Sequence, residues 1–295
     1  MTPDCLNPVL IGGTGRSGST ILGRLLGQHP DLFLTNPEEV RFIANAGGMA
    51  TTLATATTWW PKRLLVGRES ERTMRKCKNA WFFRPGPSGL QLSMSLAEMD
   101  ELGQRYLRDV RRDPVRATQE MTYAIMAKVA ANAPGRRWVD GTPANARITD
   151  LIEPIYPECQ VVSIIRDGRD VAASFVEQKF GPKEIFEALD TWAERSKRMK
   201  SAVDRCRAGR ILTVDMLELV KYQRHETLER ICAFLDISMD EHMVQWFDEN
   251  VREERAHIGR WRTQFDAPTT ERINAHYARL VDGLRRDGVP IPIES

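Results

Sequence analysis

Pro8-Val-Leu-Ile-Gly12, Gly13-Thr-Gly-Arg-Ser-Gly-Ser-Thr20 and Ile21-Leu-Gly-Arg-Leu-Leu-Gly-Gln28 follow one another without a break. The first is a short apolar run that reads as a buried strand, and the second is a glycine-rich turn. The third, entered from Ser19, carries Ile21, Leu22, Leu25 and Leu26 at helical spacing. Between strand and helix, Gly13 to Thr20 has the frame of a phosphate-binding loop, GxxxxG followed by two hydroxyl residues. Glycines let successive backbone N–H groups converge on one anion, and the helix N-terminus behind them adds about half a positive charge. The lysine of a nucleoside-triphosphate loop is missing: Ser19 stands in its place, and the nearest cation in the loop is Arg16. Because that lysine works on the β- and γ-phosphates, its absence argues against triphosphate hydrolysis and leaves donors held through a single phosphate.

The same strand–loop–helix order recurs downstream. Gln160-Val-Val-Ser-Ile-Ile165 reads as a buried strand, followed at once by Arg166-Asp-Gly-Arg-Asp170 and a helix through Ser174. An arginine at the carboxyl end of a strand points into the crevice where α/β folds bind ligands, and a serine two turns into the next helix can reach the same anion. Taken alone, Arg-Asp-x-Arg-Asp is equally a solvated turn with local ion pairs. Arg137 to Asp140 is a strand stub, Arg210 to Val214 a further strand, and Thr227 to Leu235 an amphipathic helix. Such alternation predicts an α/β fold of P-loop-like, three-layer type, a central parallel sheet flanked by helices. From about 45 to 135 the pattern is helical and reads as a cap inserted into one domain spanning 1–295. Within the cap, Ser95-x-x-Glu98 predicts a capping box opening a helix through Leu102, Tyr106 and Val110, and Gln119 to Ala131 a second helix. Ser238-x-x-Glu241 predicts another capping box, and a last helix covers about Thr269 to Arg286.

Composition narrows the function classes. The 295 residues hold 42 basic and 40 acidic side chains, a net charge of +2, so no general drive toward nucleic acid or an anionic membrane exists and any anion site is local. The five cysteines, at 5, 77, 159, 206 and 232, form no CxxC pair and no metal-ligand spacing, which fits reduced thiols in cytoplasm. No apolar run approaches the ~18 residues of a membrane span, and the N-terminus has no signal-peptide pattern, so a soluble protein is expected. Between Trp59 and Arg84 eight Lys or Arg side chains accompany Trp59, Trp60, Trp81, Phe82 and Phe83. This segment reads either as a recognition surface for an acidic or amphiphilic molecule or as a solvated basic helix whose aromatics join the core. Single-stranded nucleic acid is excluded as a main partner by the near-neutral chain.

Gly15-Arg-Ser-Gly-Ser-Thr20 with Leu25-Leu-Gly-Gln-His-Pro30 resembles the 5'-phosphosulfate loop of sulfotransferases that use 3'-phosphoadenosine-5'-phosphosulfate (PAPS), including tyrosylprotein and bacterial carbohydrate types. Ile164 to Phe175 (IIRDGRDVAASF) resembles the same family's 3'-phosphate motif, with Arg166 and Ser174 at the matching positions. Arg255-Ala-His-Ile-Gly-Arg-Trp-Arg262 resembles its C-terminal loop, which closes over the nucleotide. Here Ala256 departs from the family's pattern, and Arg260 stands where an acid is common. The resemblance implies PAPS as donor, adenosine 3',5'-bisphosphate (PAP) as product, no metal, and a donor site built from Gly15, Arg16, Ser17, Gly18, Ser19, Thr20, Arg166, Ser174 and Arg260. The acceptor is a hydroxyl on a small molecule, glycan or lipid, and homodimers are one possible assembly.

Sulfuryl transfer needs an acceptor oxygen in line with the breaking bond, a group that takes its proton, and a cation on the leaving phosphate. Arg16 occupies the family's basic position before Ser-Gly and suits the last role. His29-Pro-Asp-Leu-Phe-Leu-Thr-Asn-Pro-Glu-Glu-Val-Arg-Phe-Ile43 resembles the tyrosylprotein segment whose second glutamate faces the acceptor, with an arginine two residues on assisting the substrate. Those positions are Glu39, the expected base, and Arg41. Glu38-Glu39 is also the ordinary negative charge of a helix N-terminus. His257 is the rival base, while His29, before Pro30, suits a helix end. Where family members often place Lys-Thr-Pro, this chain has Gly141-Thr-Pro143, so that lysine is missing. A Mg²⁺-dependent nucleotide kinase or NTPase and a non-catalytic nucleotide-binding protein remain as rival readings.

Overall fold

The computed structural model describes residues 7–58, 65–84 and 88–295. Five strands form one all-parallel sheet: β1 Val9–Gly13, β2 Leu32–Leu34, β3 Arg137–Asp140, β4 Gln160–Ile165 and β5 Ile211–Asp215, in the order β2-β3-β1-β4-β5. β1 and β4 lie side by side with Gly13 opposite Ile164, so the loops that follow both strands leave the sheet at the same edge. Alternation along β1 sets the layers: Leu10 joins the apolar cluster on one face, while Val9 and Ile11 join that on the other.

Helices fill the connections. α1 (Ser19–Leu26) follows β1; α2 (Met49–Thr57), α3 (Val66–Lys76), α4 (Leu96–Asp109) and α5 (Pro114–Val129) lie between β2 and β3; α6 (Thr149–Ile152) precedes β4. After β4 come α7 (Gly168–Val176) and α8 (Ile185–Arg205). After β5 come α9 (Arg224–Leu235), α10 (Glu241–Asn250), α11 (Glu253–Ala256), α12 (Trp261–Gln264) and α13 (Ala267–Arg286). Met49, Leu53, Tyr106 and Ile125 of the helices between β2 and β3 share a core with Leu10, Trp138 and Val161 of the sheet. Leu22 and Leu25 of α1, Ile231 of α9 and Phe247 of α10 cover the opposite face with Val162, Ile164 and Val214. A third cluster joins α7, α8 and α13 through Phe175, Trp192 and Tyr277.

The expected parallel α/β architecture is therefore present, with differences at the edges. β2 was not anticipated: Leu32-Phe-Leu34 is too short for periodicity and forms by pairing with Arg137 to Val139. Both bonds of the Ser95/Glu98 capping box are made. That predicted at Ser238 is not: Asp240 caps α10 by accepting the Met243 N–H at 3.0 Å, and the Ser238 hydroxyl meets His29 Nε2 at 3.4 Å. The helix expected from Gln119 starts earlier, at Pro114, because proline suits the first turn and Asp113 caps it by accepting the Arg116 N–H. No helix among the described residues is long and apolar enough to cross a membrane.

Candidate functional site

Loop 14–18 is bent by left-handed backbone at Gly15, Arg16 and Gly18. Gly18 (φ 113°) opens α1, and a side chain there would press on Met216 Sδ. Below it the packing is tight enough that a Cβ on Gly12 would collide with Ala146, and one on Gly13 with the Ser17 hydroxyl and the Ile164 carbonyl. Ser17 is fully buried under the loop with no hydrogen-bond partner for its hydroxyl. It is the one expected donor-site residue that does not line the cleft; Gly15, Arg16, Gly18, Ser19, Thr20, Arg166, Ser174 and Arg260 all do.

That cleft, about 580 Å³, sits at the carboxyl ends of β1 and β4. Among the described residues its walls carry Arg16, Arg41, Arg84, Arg147, Arg166, Arg195, Arg255 and Arg260 against a single carboxylate, Glu39. In a chain of net charge +2 this is a strong local excess, and it comes from seven parts of the sequence. Arg16 Nε donates to Ser174 Oγ at 2.9 Å, which links the two expected anion loops directly. Behind the first loop, Arg195 donates to the Thr14 carbonyl at 2.6 Å and Arg147 to the Gly13 and Thr14 carbonyls at 3.4 and 3.3 Å. Burial, together with the like charges of Arg195 and Arg198, pushes Arg147 down to about 10, and burial lowers Arg195 in the same direction. A cationic cluster that holds its own protons reluctantly is suited to an anion, which relieves the repulsion.

Arg166 does more than the sequence suggested. It is 8% exposed, and its Nη2 donates to the carbonyls of Ala256 and His257 at 2.8 and 2.9 Å. Asp170, one turn on, lies 3.5 Å from the same guanidinium and accepts the Gly259 N–H at 3.0 Å. The segment resembling a closing loop is thus already fastened to the β4–α7 loop, and Arg260 reinforces it through Glu177 at 2.5 Å. Burial lowers the Arg166 pKa while Asp170 opposes that. Its Nε remains buried without a partner.

Opposite stands the segment after β2. Glu38 turns outward to Arg24 of α1 at 3.0 Å, whereas Glu39 enters the cleft and pairs with Arg41 at 2.6 Å. Asp140 at the end of β3 fixes this arrangement. Its Oδ1 accepts the Val40 N–H at 3.1 Å and the Thr142 hydroxyl at 2.8 Å, and Thr142 Oγ1 in turn accepts the Arg41 N–H at 3.2 Å. Burial raises the Asp140 pKa and its hydrogen-bond donors oppose the rise. Arg41 and His257 are both left-handed, so three of the four non-glycine residues with positive φ among those described line this cleft. His257 is exposed and its carbonyl is held by Arg166. His29 is buried, and its Nδ1 accepts the Asp31 N–H, a structural role.

Four of these cations escaped the sequence reading as site residues. Arg147 and Arg195 carry no motif, Arg84 ends the basic aromatic segment and Arg255 opens the segment that resembles the closing loop; they arrive from the β3–β4 connection, α8, the cap and the end of α11. Arg147 had a faint signal: it lies four residues past Pro143, in the turn where the family's lysine is missing. Trp81 and Phe82 from the basic aromatic segment are buried in the core, Phe83 is exposed, and Trp59, Trp60, Lys62 and Arg63 lie outside the described residues. Among the described residues no group of three or more His, Cys, Asp or Glu gathers as metal ligands would.

Chemically, the arrangement can hold a polyanion along the edge of the sheet and present a carboxylate to whatever lies beside it. Known proteins bear on which class this is. No curated protein matches the sequence. Among solved structures, the sulfotransferase domain of the Synechococcus PCC 7002 olefin synthase is 17% identical, with 99% of each chain covered and a TM-score of 0.57. A sulfotransferase from Mycobacterium avium is 15% identical over 100% of this chain and 79% of its own, with a TM-score of 0.54. The sulfotransferase domain from the curacin biosynthetic pathway is 16% identical over 92% of this chain and 97% of its own, TM-score 0.52. At such identities these likenesses concern the fold. The profile of the Sulfotransferase family matches residues 8–241, from β1 to the start of α10, and the chain belongs to that family.

Proposed function

We propose that this sulfotransferase moves the sulfuryl group of PAPS to a hydroxyl acceptor, with Glu39 as base and Arg16 on the leaving phosphate. The observation that carries the reading is the Arg16–Ser174 bond, which makes one continuous anion surface of the loops after β1 and β4, roofed by a segment that Arg166 ties down. A nucleotide with phosphates at both 5' and 3' positions needs two such loops side by side. The unpartnered Arg166 Nε, the surplus of arginine and the left-handed bends of loop 14–18 fit such a ligand.

The donor supplies a sulfur joined to phosphate by an anhydride oxygen; transfer breaks that S–O bond, forms one to the acceptor oxygen, and releases PAP and the acceptor's proton. Loop 15–20 would hold the 5'-phosphate through backbone N–H groups and the Ser19 and Thr20 hydroxyls, and Arg166, Ser174 and Arg260 the 3'-phosphate. Arg16, steadied by Ser174, keeps a fixed positive charge where negative charge builds on the leaving oxygen. Glu39, held at the cleft by Asp140 through Val40, takes the acceptor proton. Arg147 and Arg195 orient the loop from behind through its carbonyls. The four described cysteines are free thiols, which supports a reducing, cytoplasmic setting.

Calorimetric titration with PAP and with ATP, each with and without Mg²⁺, tests this. Metal-independent binding of PAP with no response to ATP is the expected result, and sulfuryl transfer from PAPS across a panel of hydroxyl acceptors follows. Mg²⁺-dependent ATP binding without PAP binding would replace the reading by that of a nucleotide kinase.

A further inference from the structure

Five of the eight arginines that line the cleft serve the two loops and their roof, and Arg255 donates to Asn250 Oδ1 at 2.8 Å. Arg16, Arg147 and Arg195 surround the loop after β1, and Arg166 and Arg260 belong to the loop after β4 and its roof. These suffice for a donor with two phosphates. Arg41 and Arg84 belong to neither: Arg41 follows β2, Arg84 ends the cap's aromatic segment, both line the cleft beside Glu39, and the charges of Arg41 and Glu39 are felt at Arg84. Glu39 offsets only one of these two positive charges. Arg84 has no carboxylate partner among the described residues, and its Nε is buried with no hydrogen bond. Burial and the charge of Arg41 both disfavour its protonated form. The charge of Glu39 opposes this only in part, and among the described residues the one hydrogen bond of Arg84 is its backbone carbonyl accepting from Gln91, a contact any residue would make.

We infer that Arg84 and Arg41 form an acceptor subsite for an anionic group, so that the physiological acceptor is a hydroxyl compound bearing its own carboxylate or phosphate. The inference rests on the sulfotransferase reading and narrows its substrate class. Geometry gives the subsite a second role. Arg41 now binds Glu39 at 2.6 Å; an anion that shares Arg41 loosens that pair and leaves the Glu39 carboxylate to the acceptor hydroxyl. Recognition of the anionic group and release of the base are then one event, and a hydroxyl compound lacking the anion is a poor substrate even when it fits. Arg84 is a specificity-determining residue here, and it reaches the reaction through the acceptor.

The test separates this subsite from the donor site. Wild-type protein is saturated with PAP and titrated calorimetrically with inorganic phosphate, then with acetate, and the titrations are repeated on Arg84→Gln and Arg84→Lys. One further anion should bind to the PAP-loaded wild type. Arg84→Gln should weaken that event roughly 10–100-fold, as loss of a charge-assisted contact does, and Arg84→Lys should retain most of it. PAP affinity should stay within about twofold in both variants, which also establishes that they fold. Tighter binding of acetate than phosphate assigns a carboxylate-bearing acceptor, and the reverse a phosphorylated one. If the PAP-loaded protein binds neither anion, or binds one equally well in Arg84→Gln, the subsite is refuted while the donor reading stands. Failure of PAP itself to bind would overturn the donor reading and, with it, this one.

Discussion

Arg166→Ala is the substitution with the widest reach. The guanidinium serves two backbone carbonyls of the roof, at 2.8 and 2.9 Å, and sits 3.5 Å from a fully buried Asp170. Removing one member of a buried ion pair costs about 3–5 kcal/mol because the other charge is left stranded. Asp170 keeps the Gly259 N–H and the pair is not a tight one, so the low end, ~3 kcal/mol, applies. For a chain of this size that corresponds to a melting point lowered by roughly 5–10 °C. Losing the phosphate contact should separately raise the PAP dissociation constant about 10–100-fold. Arg166→Lys distinguishes the two effects: it keeps a charge for Asp170 and the phosphate but lacks the planar fork whose Nη2 holds both roof carbonyls while Nη1 reaches the Arg16 carbonyl, so stability should recover in part and roof closure should not. Differential scanning calorimetry with and without PAP reads the first effect, and isothermal titration the second. An Arg166→Ala protein that melts with the wild type and binds PAP with wild-type affinity would refute both the clasp and the phosphate assignment.

Other substitutions probe the remaining parts. Glu39→Gln should lower turnover about 10²–10⁴-fold with PAP affinity intact; single-turnover assays with PAPS check this, and activity within a few fold of wild type would remove Glu39 as base. Gly12→Ala should destabilise the fold by about 1–3 kcal/mol in chemical unfolding, because its methyl collides with Ala146. The folded-state value of Arg147, about 10, lies below the ordinary arginine range. Between the two the unfolded chain holds a proton that the folded chain has lost, so this group's contribution to stability rises with pH across that window. Comparing wild type with Arg147→Gln above pH 10 should show the wild type gaining, and the stabilisation that PAP confers should fade over the same range; a pH-independent difference would contradict the cause assigned to the shift.

What could be read in advance was whatever chemistry is local in sequence. The glycines of loop 13–18 and the apolar spacing of Leu22, Leu25 and Leu26 announce a strand, a tight glycine-rich loop and a helix within twenty residues, and the β4–α7 unit likewise shows its strand and helix. β2 has three residues and exists through pairing with β3, which no window of local sequence reports. Ser238 looked like a cap because Glu241 follows at the right distance, yet Asp240 lies two residues nearer the helix and takes the role. Arg84, Arg147 and Arg195 were hidden for a different reason: an arginine on a polar helix face and one aimed into a cleft look alike until the chain has folded. Arg166 could be marked in advance as a candidate anion ligand by its place after β4 but not as a clasp, since its partners are backbone carbonyls ninety residues away.

The crowding beneath the anion loop bears on how such an enzyme can change over generations. Gly12 touches Ala146 closely, Gly13 touches Ser17 and β4, and Gly168 lies against the Trp192 ring with no room for a methyl. Drift at any one of these sites has to be matched at another element at the same time, which makes the side of the cleft formed by the loops after β1 and β4 slow to diversify. The wall opposite comes from the segment after β2 and from helices whose contacts run mostly to one another and to one face of the sheet. Gly48 and Gly89 on that side are held as tightly, each with a backbone carbonyl where a methyl would stand, so there the side chains between such fixed points are what can vary one at a time and reshape the wall.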